Sequence, residues 1–510
     1  MERYCENTSL HGLRYVGDRS LSIFERMFWL ISFSVAIGFA AYYITNIFQK
    51  WNSSPVIISF SPFDADLKSI PFPAVTICNM NQAKKTEVNK IIAEGNPRDL
   101  KLLDDLCVGN KSNQQPDNYT EQYDWKNLRN FLIRVGSSCN EMMKACKWTN
   151  DKKNCDELFN NDLTDEGLCC SFNRLPYNKI FRNPNEISLL NQTYPENVYD
   201  WNPEIGFSNV GDYDNENMVP RRPLGAGAHL GLSVLLDAQI DEYYCSSTSS
   251  VGFKIIVSNP IETPKMADYG TLLSPGVEAR FSIKPSIREA SKNLRSIPLQ
   301  KRQCYFASER KLVYYRKYTQ VNCLQECLST FIYNRCNCSP YYLPRNKSIK
   351  ACGRKDQLCS SDAKENMEKV TGVGASCSCL PGCFGLQFTE SISVGKLSRV
   401  INTTAFGEDW KVNVTHFEKN MAVIHFYFAS SYFPIIEKTE LYGFTEILSN
   451  VGGLLGLCMG FSFLSVVEIL YFITLRWFLK WMKDRRKKER KNNHRHVFIR
   501  NQYSNYPFLK

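Results

Sequence analysis

"LSNVGGLLGLCMGFSFLSVVEILYF" occupies residues 448–472, near the C-terminal end of a 510-residue chain. From Val451 to Leu475 the only charge is Glu468, and these 25 residues can cross the roughly 30 Å apolar core of a bilayer. The stretch nevertheless holds Gly452, Gly453, Gly456, Gly460, Ser462, Ser465 and Glu468. Gly is a poorer helix former than Ala by about 1 kcal/mol, and a charge near the bilayer centre costs at least about 2.5 kcal/mol. Gly452, Gly456 and Gly460 are spaced four apart and stack on one helical face, which reads as a seam where backbones approach closely. Gly460 and Ser462 do not share that face, because residues two apart on a helix point about 200° from each other. In extended backbone they point the same way. Non-helical backbone at this depth is tolerated only where protein buries it or where it lines an aqueous path. The segment therefore predicts a break at Gly460–Phe461–Ser462 that turns carbonyls and a hydroxyl toward a narrow lumen. If the helix then resumes, Ser465 and Glu468 line its next turn, and in a symmetric oligomer Glu468 becomes a carboxylate ring that concentrates cations.

A second apolar run, Met27–Gln49, carries no charge over 23 residues and also reads as a transmembrane helix. It is too long and too far from the N-terminus for a signal peptide, and Arg14, Arg19 and Arg26 precede it. Residues 476–510 hold twelve Lys/Arg against two Asp/Glu, a net +10 of the whole chain's +11. A basic run that abuts a span is a stop-transfer signal with a possible anionic-lipid contact rather than a nucleic-acid surface, and it places the tail in the cytoplasm. The expected organisation is a cytoplasmic N-terminus (1–26), a first span (27–49), an extracellular domain (50–445), a pre-pore segment with the second span (446–475) and a basic cytoplasmic tail (476–510). The protein is then a multi-pass plasma-membrane protein.

Eighteen of the twenty cysteines lie in the predicted extracellular interval, where disulfides are permitted. They are Cys78, Cys107, Cys139, Cys146, Cys155, Cys169, Cys170, Cys245, Cys304, Cys323, Cys327, Cys336, Cys338, Cys352, Cys359, Cys377, Cys379 and Cys383. The sequons at Asn52, Asn110, Asn118, Asn191, Asn346, Asn402 and Asn413 fall in the same interval and are candidates for glycosylation. Paired C-x-C and C-x3-C units can bind zinc, but no histidines flank them and the compartment is oxidising, so disulfides are expected and no metal site is. Connectivity is open, except that the two cysteines of a C-x-C unit reach different partners. Residues 323–383 are expected to form a stapled column rather than a linker.

The pattern is mixed. "FPAVTIC" (72–78), "HLGLSVLLDAQI" (229–240), "VGFKIIVSNP" (251–260) and "NMAVIHFYFAS" (420–430) read as strands, and "DWKNLRNFLIRVG" (124–136) and "NCLQECLSTFIYNRC" (322–336) as helices. An α+β, disulfide-rich extracellular domain on two transmembrane helices is the expected fold class. Enzyme chemistry has little support. "GAGAHLG" (225–231) is one residue too long for a phosphate loop, and His229 has no Ser/Asp or Cys context for nucleophilic catalysis. No cofactor is expected. Arg221–Arg222 and Lys301–Arg302 read as surface charge pairs rather than activating protease sites.

Taken together, His11–Gly12, "FPAVTICN" (72–79), "GLCCSFN" (167–173), "GFKIIVSNP" (252–260), the 323–383 cysteine block and residues 448–472 resemble the degenerin/epithelial sodium channel family, and within it the insect pickpocket branch. The resemblance implies a homo- or heterotrimer with sibling subunits, conducting Na⁺ and blocked by amiloride. It further implies that Gly460, Phe461 and Ser462 form the selectivity motif and that Gly456 is the amiloride-contact position. Ser449 takes the small-residue gating position, and His11–Gly12 the gating dipeptide. A bulky Phe461 in the middle of the filter bears on Na⁺ over K⁺ selectivity, and no paired acid-sensing carboxylates are identified. Two rivals share parts of this pattern: a trimeric ATP-gated-type cation channel, and a two-pass adhesion or scavenger receptor without a pore, which would not need Glu468 or a Gly-x-Ser break. The gating stimulus has no portable motif.

Overall fold

A computed structural model describes residues 2–5, 8–107, 125–184, 192–195, 197–207, 218–369, 377–397 and 414–488. The chain divides into two compact units, one formed by residues 1–57 with 440–510 and the other by 58–439.

In the first unit, an uninterrupted helix Ile23–Ser53 begins at a capping box: Ser22 Oγ accepts from the Glu25 amide (3.4 Å), while Glu25 Oε2 accepts from the Ser22 amide (2.8 Å). The helix is longer at both ends than the apolar run, because this cap starts it four residues before Met27. Among the described residues it is the one unbroken helix long and apolar enough to cross a membrane. The C-terminal apolar stretch instead divides into Phe444–Met459 and Phe463–Lys488, bent by 73° at the intervening residues. A π-turn at Tyr471–Leu475 interrupts the second piece. Asn52 lies on the last turn of the first helix rather than in a loop beyond it.

The second unit is built on two sheets. The larger contains Val277–Ala290, a 14-residue strand. One of its edges pairs antiparallel, from Val277 to Arg288, with Gly385–Lys396. Met421–Phe428 and Ile435–Glu440 pair parallel with it. Leu232–Asp237, Met143–Trp148 and Asp151–Lys153 extend the sheet beyond Met421–Phe428, and Val56–Phe60 extends it beyond Ile435–Glu440. The smaller sheet is antiparallel, in the order Thr271–Leu273, Phe253–Ser258, Ala74–Asn79, Gly167–Phe172, Phe159–Thr164. Ala74–Asn79 at its centre is buried at every position, as expected of a continuous apolar run. All four predicted strand segments and both predicted helices are present, the helices as Trp125–Val135 and Gln320–Cys336.

One core joins the sheets through aromatic contacts: Phe72 meets Trp148 edge-on at 4.9 Å and Phe428 edge-on at 5.3 Å, and Trp148 meets Phe172 at a tilt, 5.3 Å between centroids. Buried charges are paired. Asp162 accepts from Arg174 and from the Tyr177 hydroxyl, and Lys254 pairs with Glu166. The glycines of 225–231 serve close packing, not phosphate: a Cβ on Gly231 would lie 2.0 Å from the Phe426 carbonyl oxygen.

The eighteen cysteines form nine disulfides. Cys323–Cys379, Cys327–Cys377 and Cys336–Cys359 staple the helix Gln320–Cys336 to its surroundings, Cys304–Cys383 and Cys338–Cys352 close the segments on either side of it, and each C-x-C unit does reach two partners. Cys78–Cys169, Cys139–Cys170, Cys146–Cys155 and Cys107–Cys245 secure the two sheets and the helix Pro97–Cys107.

The dibasic pairs are not simple surface charges. Arg302 is buried, donates to the Cys304 carbonyl (3.1 Å) and the Glu309 carboxylate, and sits 5.1 Å over the Phe306 ring. Arg221 is buried as well, and Arg222 lies 3.9 Å over the ring of Phe207. Packing against aromatic faces absorbs these cations, which charge spacing alone does not reveal. Asn346 is exposed, whereas Asn110, Asn118, Asn191, Asn402 and Asn413 lie outside the described residues.

Candidate functional site

The break falls at the predicted tripeptide. Gly460 ends the helix Phe444–Met459 in the left-handed region (φ 68°, ψ 21°), where a Cβ is costly, and its amide caps back to the Gly456 carbonyl at 2.8 Å. Ser462 is extended (φ −122°, ψ 171°) and starts the next helix, with its amide donating to Ser465 Oγ at 3.1 Å. Ser462 thus acts as an N-cap while the backbone leaves the helical conformation for three residues. Phe461 is partly buried and Ser462 exposed.

The N-terminal dipeptide packs directly on this break. His11 donates its amide to the Met459 carbonyl at 2.9 Å, filling an acceptor that the helix end leaves open. Its ring fills the space beside Gly460, so that a Cβ on Gly460 would lie 2.7–2.8 Å from three ring atoms. Gly12 is left-handed (φ 82°) and turns the chain into the short helix Leu13–Gly17. There Tyr15 stacks on Trp29 of the long helix at 4.6 Å. Tyr4 meets the ring of Phe472 edge-on at 5.3 Å.

One turn past the break, Ser465 is buried (1% exposed) and Glu468 is partly buried. Ser9 bridges them: its hydroxyl lies 2.8 Å from Ser465 Oγ and 3.2 Å from Glu468 Oε2, and its amide donates to the same Oε2 at 3.1 Å. Sequence reading singles out Glu468 but misses Ser9, which gives the carboxylate two donors from its own chain. Among the described residues, a Cβ built on Gly456 meets the Phe461 carbonyl oxygen at 3.8 Å and one on Gly452 or Gly453 meets nothing within 4 Å, so the seam is closely packed at Gly460 and open at these three. Ser449 is exposed on the same helix as Gly452 and Gly453. The site thus gathers Ser9, His11, Gly460, Ser462, Ser465 and Glu468, while Ser449 stands apart from it.

A helix broken inside an apolar stretch, beside a second apolar helix and with a disulfide-rich sheet domain in the same chain, is the build of a membrane channel subunit rather than of an enzyme. The profile of the amiloride-sensitive sodium channel family matches residues 4–472, and the chain belongs to that family. Pickpocket protein 28 of Drosophila melanogaster is 37% identical over 487 residues, covering 93% of this chain and 78% of that protein. Pickpocket protein 11 of the same species is 26% identical, covering 94% and 77%, and acid-sensing ion channel 4-B of Danio rerio is 23% identical, covering 92% and 75%. Family membership sets aside the pore-less receptor and the ATP-gated-type channel.

Proposed function

We propose that this chain is a subunit of a trimeric, sodium-permeable, amiloride-sensitive cation channel, homomeric or built with sibling subunits, that opens through its disulfide-rich domain. The observation that carries the reading is the break at Gly460–Ser462. Non-helical backbone within an apolar stretch is stable only where it is packed by protein or faces an aqueous lumen, and while His11 packs this one at Gly460, Ser462 is exposed. In the assembled channel the Phe461 and neighbouring carbonyls and the Ser462 hydroxyl coordinate dehydrated cations, while Glu468 concentrates them. Gly456, with a shallow contact and no side chain, leaves room for a flat aromatic cation such as amiloride.

In this reading Ile23–Ser53 and the bent pair Phe444–Lys488 are the two spans, both termini are cytoplasmic, and the domain between them is extracellular in the plasma membrane. The nine disulfides support an oxidising compartment for that domain. Arg485 lies 4.2 Å over Trp481 and Arg476 4.6 Å over Phe472, an aromatic-basic arrangement suited to a headgroup layer of anionic lipid.

The test is expression in oocytes, alone and with a sibling subunit, with current recorded before and during amiloride. Ser462→Asp should raise relative K⁺ permeability or abolish the current, with surface biotinylation at the parent level. A current with an unshifted reversal potential in that variant places the filter elsewhere.

A further inference from the structure

We infer that Ser9 is a positioning residue for the Glu468 carboxylate and the terminal link of a hydrogen-bond chain from the filter to that carboxylate. This rests on the pore reading above and adds a named residue and a direction to it. The chain follows from counting protons. Ser462 N–H donates to Ser465 Oγ at 3.1 Å. Ser9 Oγ lies 2.8 Å from Ser465 Oγ and 3.2 Å from Glu468 Oε2. Ser9 has one hydroxyl proton, and an ionised carboxylate is only an acceptor, so that proton goes to Glu468. The 2.8 Å contact then requires Ser465 to donate to Ser9. The result is one directed sequence, Ser462 N–H to Ser465, Ser465 O–H to Ser9, and Ser9 O–H to Glu468, with every hydroxyl donating once.

Such a chain strengthens along its length because each link is polarised by the next, and it ends on a charge, where hydrogen bonds are strongest. The Ser9 amide adds a second donor to the same Oε2 at 3.1 Å. Two donors on one oxygen fix the carboxylate rotamer. Among the described residues Oε1 has no donor, so it is the oxygen left to meet a cation. Ser465 and Glu468, three apart on one helix, lie on one face, and Ser9 reaches both because His11, two residues on, is pinned at the Met459 carbonyl. The N-terminal segment thereby sets the field at the pore as well as bracing the break.

A merely structural Ser9 would affect assembly and leave permeation untouched. Positioning predicts instead that Ser9→Ala, normally delivered to the surface, lowers unitary conductance about twofold at low ionic strength and much less at high ionic strength. Ser9→Thr, which keeps both donors, conducts like the parent. In a Glu468→Gln background Ser9→Ala causes no further loss. If Ser9→Ala conducts like the parent while Glu468→Gln does not, the positioning role is overturned and the pore reading stands. If Ser462→Asp and Glu468→Gln both permeate like the parent, the pore reading fails, and the positioning role falls with it. Where a variant carries no current, crosslinking decides. In full-length protein with Cys5→Ser and Cys458→Ser, which removes the two free thiols, a Ser9→Cys/Ser465→Cys pair, whose serine oxygens lie 2.8 Å apart, should form a disulfide under copper phenanthroline, seen as a linked peptide by mass spectrometry. Absence of that peptide overturns the geometry.

Discussion

At the level of single residues the site rests on positions where one atom more is too many. Gly460 combines a left-handed φ of 68° with a His11 ring 2.7–2.8 Å from where its Cβ would be. An L-residue in that conformation costs about 1–2 kcal/mol before any clash. Gly460→Ala should therefore abolish or severely reduce current at normal surface density, and Gly460→Ala/His11→Ala should restore part of it by vacating the ring's space. An absence of rescue, measured as current per biotinylated channel, would mean that the ring is not what Gly460 accommodates. In the sheet domain, Glu262 tests a different residue-level effect. Burial pushes its carboxyl up to about 7, against the opposing pull of the Thr319 hydroxyl and the Arg288 charge. A raised acid favours the folded state while it is protonated, so that contribution is complete below about pH 4.5 and lost as pH rises through about 7. Glu262→Gln should leave the melting temperature of detergent-solubilised protein unchanged at pH 4 and raise it at pH 8, where it removes a destabilisation of about 1–2 kcal/mol after discounting partial exposure. The Gly and Ser types that make the break were legible because they are anomalous in an apolar run. Ser9 was not, since its partners lie 456 and 459 residues away in sequence and an isolated serine carries no pattern.

Elements were legible where local chemistry determines them. The strands Ala74–Asn79, Leu232–Asp237, Phe253–Ser258 and Met421–Phe428 follow from β-branched runs, and the C-x-C geometry required that neighbouring cysteines take separate partners. Pairing itself is a property of the fold: Cys78 reaches Cys169 only because Ala74–Asn79 and Gly167–Phe172 are adjacent strands. The 73° bend was also beyond the sequence, because a Gly-x-Ser break states where the helix stops and not where it resumes pointing. On the helix Gln320–Cys336, Cys323–Cys379 and Cys327–Cys377 close nearly the same loop, of 56 and 50 residues. With either bridge intact the other closes only a short residual loop, so losing one should cost about 2 kcal/mol, whereas losing the second as well frees the longer loop still closed by Cys304–Cys383 and costs about 3 kcal/mol more, about 5 kcal/mol in all. Thermal unfolding of Cys327→Ser/Cys377→Ser, of Cys323→Ser/Cys379→Ser and of the quadruple variant checks this. Equal steps for the first and second bridge would contradict the shared-loop argument.

For the whole molecule, what the single chain leaves open is as informative as what it closes. Ser449 is exposed, and among the described residues Gly452 and Gly453 have no neighbour within 4 Å of a built Cβ, although the helix that carries them is the apolar one preceding the break. In the proposed trimer these small positions would allow three helices to converge, so a bulky side chain at Ser449 should wedge the shut state apart. Ser449→Phe is expected to give constitutive, amiloride-sensitive inward current, and a silent mutant with normal surface delivery would remove Ser449 from the gate. Further along the same apolar stretch lies Glu468, seven residues before Leu475 and thus about 10 Å inside its end at 1.5 Å per residue. Among the described residues its partners are the neutral donors of Ser9, which orient the carboxylate without pairing it to a cation. Three such charges around an aqueous axis raise the local cation concentration, and the attraction is least screened when salt is dilute: the Debye length grows from about 8 Å at physiological ionic strength to about 30 Å at 0.01 M. Glu468→Gln should therefore assemble and reach the surface normally yet show a unitary conductance that falls further below the parent's as bath salt is lowered. Parent-like conductance at every salt concentration would put the carboxylate outside the ion path, and the charge in this apolar helix would then serve only to hold Ser9.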